Sequence, residues 1–94
     1  MKNKREIFEE AIKSIKSKLK DRIQNVEWYN GMKVMSHVVI TLKEDVTPED
    51  AMIVSKSAYD HDEEMQINII ESRHVNGKPI PVSNVIEVAL YIGE

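Results

Sequence analysis

Trp28-Tyr29-Asn30-Gly31-Met32-Lys33-Val34 and His74-Val75-Asn76-Gly77-Lys78-Pro79-Ile80 carry the same signal. An Asn-Gly pair between β-forming residues marks a hairpin, because both residues accept the positive φ of a type I′ turn. A helix-like segment precedes each pair of runs. The chain therefore reads as helix and hairpin, twice over.

The first helix-like segment, residues 5–24, places Phe8, Ala11, Ile12, Ile15, Leu19 and Ile23 at the spacing of a single helix face. Glu9 and Lys13 form an i, i+4 pair in the favourable order. The second segment, residues 48–60, opens with Thr47-Pro48-Glu49-Asp50. Thr47 suits an N-cap, Pro48 the first turn, and the acids the positive end of a helix. Ala51, Val54, Ser55 and Ala58 supply its small packing face, flanked by Met52 and Ile53. The polar run Asp60-His61-Asp62-Glu63-Glu64 ends it.

The first hairpin, residues 26–43, leaves its register open by one residue. A three-residue loop, Asn30-Gly31-Met32, sets Trp28 opposite Val34 on the apolar face with Val38, Ile40 and Leu42, Ser36 among them. A two-residue loop sets Trp28 opposite Lys33 on the mixed face. A slip of one residue inverts every side chain, and the longer loop is preferred because it buries Trp28. The second hairpin, residues 64–92, is better determined. A two-residue Asn76-Gly77 loop makes Ile67 face Ile86, Met65 face Val88 and Arg73 face Ile80. Pro79 and Pro81 then fall at non-hydrogen-bonded positions, so this end of the strand is an open edge.

Val85-Ile86-Glu87-Val88-Ala89-Leu90-Tyr91-Ile92 is nearly continuous in apolar character and reads as a central strand. Val38-Val39-Ile40 marks the other interior strand. Placing them side by side gives one α+β domain over residues 1–94: two α-β-β units, a four-stranded antiparallel sheet in the order 1-2-4-3, and two helices on one face. A pseudo-twofold axis would relate the units. The uncovered face would carry Tyr29, Met35, Val39, Ile70, Val85, Ala89 and Tyr91, with His37, Gln66, Asn68, Ser72 and Glu87 among them. That is more apolar than a solvated face requires.

At 94 residues the chain holds a single modest core, and 41% apolar with 31% charged residues is ordinary for a globular protein. There are no cysteines, which removes disulfides, thiol chemistry and thiolate metal sites. No stretch approaches a membrane span, and no apolar block follows the charged start, so a cytoplasmic protein without membrane contact is the expectation. Charge is divided. Residues 1–24 hold eight Lys/Arg against four Asp/Glu, and residues 25–94 hold five against twelve.

No constellation names a chemistry. His37, His61 and His74 are scattered, and there is no Gly-rich phosphate loop. No catalytic residue, metal ligand or cofactor is nominated. The leading expectation is a small non-enzymatic protein-interaction module, an inhibitor or adaptor, associating with a partner protein or with itself as a homodimer. It would dock through the open sheet face (Tyr29, Met35, His37, Val39, Ile70, Tyr91) or the acidic region after the second helix (Asp60, Asp62, Glu63, Glu64), whose carboxylates fit a basic groove. The alternative is nucleic-acid binding along the first helix through Lys13, Lys16 and Lys20. The third is a metal-dependent enzyme at residues 60–64, a run without the alternating spacing and central Gly of a calcium loop.

Overall fold

A computed structural model describes residues 2–29 and 34–93. The elements are α1 (Lys4–Leu19), a short 3-10 turn (Lys20–Arg22), β1 (Ile23–Tyr29), β2 (Met35–Leu42), α2 (Pro48–His61), β3 (Gln66–Val75) and β4 (Lys78–Tyr91). The four strands form one antiparallel sheet in the order β1-β2-β4-β3, as the pattern of apolar runs predicts. Both helices cover the same face. Phe8, Ile12, Ile15 and Leu19 of α1 and Val54 and Ala58 of α2 form one cluster with Val38, Ile40 and Leu42 of β2 and Ile86, Val88 and Leu90 of β4.

Local chemistry sets the helix ends. At α1, Asn3 Oδ1 accepts from Glu6 N–H at 2.8 Å, and Asn3 N–H donates to Glu6 Oε1 at 3.1 Å. Two otherwise orphan donors are thereby satisfied. Thr47 and Asp50 make the same reciprocal box at α2. The α1 helix stops at Leu19 instead of reaching residue 24. Lys20 turns to φ 43°, and its N–H bonds back to Lys16 O. Ile23 keeps the helical spacing from Leu19 but enters β1 opposite Leu42, since period alone does not distinguish one more turn from a first strand residue. On α2 the buried face is Asp50, Val54, Ser57 and Ala58; Ala51 and Ser55 lie at its margin.

Both hairpin registers differ from those preferred on sequence, and both differ by an even number: four in the first and two in the second. Trp28 pairs with Val38, not Val34 or Lys33, and Tyr29 with His37; the Asn30-Gly31 turn itself lies outside the described residues. In the second hairpin Val75↔Lys78 and Arg73↔Ile80 hold as predicted around Asn76 (φ 54°) and Gly77 (φ 78°). An irregularity between Ile70 and Ser72 then shifts the ladder, so Ile67 faces Val88 and Ile69 faces Ile86, while Met65 precedes β3. A shift of two or four residues preserves the face of every side chain. That is why most of the core prediction survives: Ser36, Val38, Ile40 and Leu42 are buried under the helices, whereas Trp28 (40%) and Val34 (37%), expected on the same face, stay exposed near the end of the sheet.

The irregularity reshapes the molecule. Beyond it β3 and β4 form a two-stranded arm, Glu71–Val82, whose residues are exposed except for Val82, which is half-buried. Pro79 and Pro81 pair with His74 and Ser72 on β3, and β2 reaches β4 only from Val85 onward. Among the described residues the other edge of the arm meets no strand, as the prolines require. Arg73 Nη2 lies 4.0 Å from Glu27 Oε1 of β1. On a straight ladder Arg73 would stand roughly 20 Å along the strands from the row of Glu27, and about 14 Å to the side. The arm therefore bends back over the helix-free face, as an extra-residue bulge allows. Val46 N–H donating to Ser83 O (2.8 Å), and Asn84 Nδ2 donating to Leu42 O (2.9 Å), pin the bend to the loop before α2.

Candidate functional site

The helix-free face is built from strand rows. Tyr29, His37, Ala89 and Gln66 stand side by side, then Glu27, Val39, Glu87 and Asn68, then Asn25, Thr41, Val85 and Ile70. Met35 opposite Tyr91 begins the series. The odd positions of β2 and β4 point here because their even positions fill the core. The two ends of the face differ. Val85 is only 2% exposed although no helix covers it, and it lies toward the folded-back arm. Tyr29 and Tyr91, at the other end, are 43% and 56% exposed.

The open end gathers five of the six predicted face residues. The Tyr29 and His37 rings lie 4.9 Å apart, tilted by 56°. Met35 and Val39 flank His37 along β2, half-buried, and Tyr91 closes the patch from β4. Ile70 stands apart, in the row beside the arm. A polar line crosses the middle of the face. Glu87 Oε2 approaches His37 Nδ1 at 3.7 Å, and Asn68 Nδ2 donates to Glu87 Oε1 at 3.4 Å. This imidazole and carboxylate pair was absent from the sequence reasoning, since it depends on the β2–β4 register.

The acidic run after α2 is divided by its partners. Lys4 Nζ donates to Asp62 at 2.6 Å and to Glu64 at 2.9 Å. The Asp62 side chain is 9% exposed. Its carboxyl is held below the usual range by the Lys4 bond and the Glu64 N–H, against burial that pushes it up. Asp62 thus tethers α1 to the end of α2. Asp60 meets Lys56 at 3.6 Å on the exposed side of α2, and Glu63 is exposed. Among the described residues no group of three His, Asp or Glu side chains is arranged to hold a metal ion.

The predicted cationic residues lie elsewhere. Lys13 and Lys16, with Glu9, line a groove of about 460 Å³ whose remaining wall is Trp28. Trp28 and Phe8 pack edge-to-face, ring centroids 6.0 Å apart at 87°, and Trp28 stays 40% exposed. Lys20 is exposed at the α1 terminus.

Among the described residues no helix is long and apolar enough to cross a membrane. The chain matches no protein-family model and no curated protein.

Proposed function

We propose that this chain is a non-enzymatic protein-interaction module that docks through the open end of its helix-free sheet face, and that its first partner is a second copy of itself. The observation supporting this reading is the patch of Tyr29, Met35, His37, Val39 and Tyr91. Exposed tyrosines combine a large apolar ring with a hydroxyl that keeps a hydrogen bond when water leaves, which makes them common anchors of protein interfaces. A face of this kind is self-complementary under a twofold axis, the usual geometry of small homodimers. The apolar side chains left exposed on this face are Tyr29 and Tyr91, whereas Val85 at the other end is buried, so docking falls at the Tyr29 and Tyr91 end. An adaptor or inhibitor role follows if the same patch also accepts a heterologous partner.

Sedimentation velocity over a dilution series from about 1 to about 100 µM tests the reading, because association must rise with concentration by mass action. A weight-average coefficient that climbs toward the dimer value supports it. A single monomer boundary throughout contradicts it.

A further inference from the structure

The groove between α1 and β1 points to a second binding surface. The cations of α1 divide by side. Those toward α2 are occupied, Lys4 by Asp62 and Glu64 and Lys18 by Ser57 Oγ at 3.1 Å, and Lys2, ahead of the helix, is held by Glu10 at 2.7 Å. Arg22, just beyond the helix, is held by Asp50 and Glu44. Arg5, Lys13 and Lys16 form no ion pair among the described residues, and Lys20 forms none either. At 100° per residue Arg5, Glu9, Lys13 and Lys16 fall within an arc of about 80°, along about 16 Å of helix. The indole of Trp28 lies beside the middle of that stripe.

We propose that this groove binds single-stranded nucleic acid, with a base stacked on Trp28 and the adjoining phosphates on Lys13, Lys16 and Arg5. Each half of the site selects one half of the ligand. Cations without an ion-pair partner along one side of the helix, Lys13 and Lys16 a turn apart and Arg5 two turns before Lys13, match a phosphodiester chain, whose binding releases condensed counterions. An exposed indole offers a π-face to any base that is not already stacked, which excludes an intact duplex. Glu9 is the one carboxylate in the lining, so it opposes the ligand and reports on the sign of the field.

Trp28 is the only tryptophan in the chain, so tryptophan emission, excited at the red edge where tyrosine does not absorb, reads this site alone. The experiment titrates the full chain with a thymidine dodecamer at 50 and 200 mM salt, following fluorescence and the anisotropy of a labelled oligonucleotide. Saturable quenching is expected, with affinity falling about 20-fold between the two salts for three phosphate contacts at a slope of about −0.7 each. The double variant Lys13→Glu/Lys16→Glu, exposed and harmless to the fold, should abolish binding. Glu9→Gln should tighten binding severalfold. Trp28→Ala should weaken it at least fivefold, the low end for one stacked base. No binding at 50 mM salt overturns the proposal. Binding without quenching, or a duplex or poly-glutamate bound as tightly as the dodecamer, overturns it equally, because either leaves the indole without a role.

Discussion

Arg22→Ala is expected to be among the most damaging changes of a single partly exposed residue. Arg22 stands in the turn between α1 and β1, with its side chain 34% exposed. Its Nε and Nη2 donate to the two Asp50 oxygens at 2.8 and 2.7 Å, and Nη2 also donates to Asp45 O at 3.1 Å. Asp50 is 3% exposed and closes the α2 capping box. Burial alone would push its carboxyl up, but the Arg22 bonds and those from Thr47 outweigh it and hold it below the usual range. Truncating Arg22 leaves a buried carboxylate with the Thr47 donors only. Orphaning one partner of a fully buried pair costs about 3–5 kcal/mol. The solvent around Arg22 and the surviving Thr47 bonds reduce that here to about 2–3 kcal/mol. A domain of this size has roughly 5–10 kcal/mol in total, so Tm should fall by about 10 °C or more.

The assay is urea unfolding at pH 7 and at acid pH. A carboxyl whose folded pKa is depressed contributes stability above its unfolded value, near 3.9, and loses it as pH falls through the folded value. Asp50 and Asp62 are both depressed, so the parent should weaken progressively below about pH 4. Arg22→Ala should narrow that acid-dependent loss, because Asp50 then gains less from ionising. A variant within about 0.5 kcal/mol of the parent at pH 7, or one with an unchanged acid profile, would refute the assignment of Arg22 as the charge that holds Asp50.

Two further outcomes follow from local geometry. Ser36 is 1% exposed, and its Oγ has no hydrogen-bond partner among the described residues, so Ser36→Ala should raise stability by about 1 kcal/mol in chemical denaturation, and a loss would show that the hydroxyl is satisfied. Lys20 holds φ 43° and ψ −111° at the end of α1, a conformation that strains any residue with a Cβ, so Lys20→Gly should stabilise by about 1 kcal/mol, read as a higher Tm.

Particular residues show what the sequence could reveal. Ser36, Val38, Ile40 and Leu42 alternate with period two, so their burial was legible whatever partner they met. The strand order followed from two apolar runs that each needed cover on both sides. The registers were not legible, because a hairpin may carry extra residues in loop or strand without disturbing that alternation. The early end of α1 was hidden by Ile23, whose position satisfies helix and strand equally. The Trp28 groove and the His37–Glu87 pair were invisible for one reason: each joins segments distant in sequence, and their meeting depends on registers that periodicity does not set. The arm that brings Arg73 to Glu27 depends on the irregularity at Ile70–Ser72, for which the sequence carried no Gly signal. The acidic run after α2 was conspicuous as composition, yet Lys4 of the opposite helix claims Asp62 and Glu64.

The association proposed for the open sheet face is tested most directly by sedimentation equilibrium of the parent chain beside Tyr29→Glu/Tyr91→Glu. Both side chains are largely exposed, so the charges should leave the monomer folded while placing like charges and unpaired carboxylates in the proposed interface. The parent mass should approach twice the 10.8 kDa chain at high concentration, and the variant should stay at the monomer mass with an unchanged circular dichroism spectrum. A parent that is monomeric at every concentration, or a variant that dimerises as strongly as the parent, contradicts the proposed association.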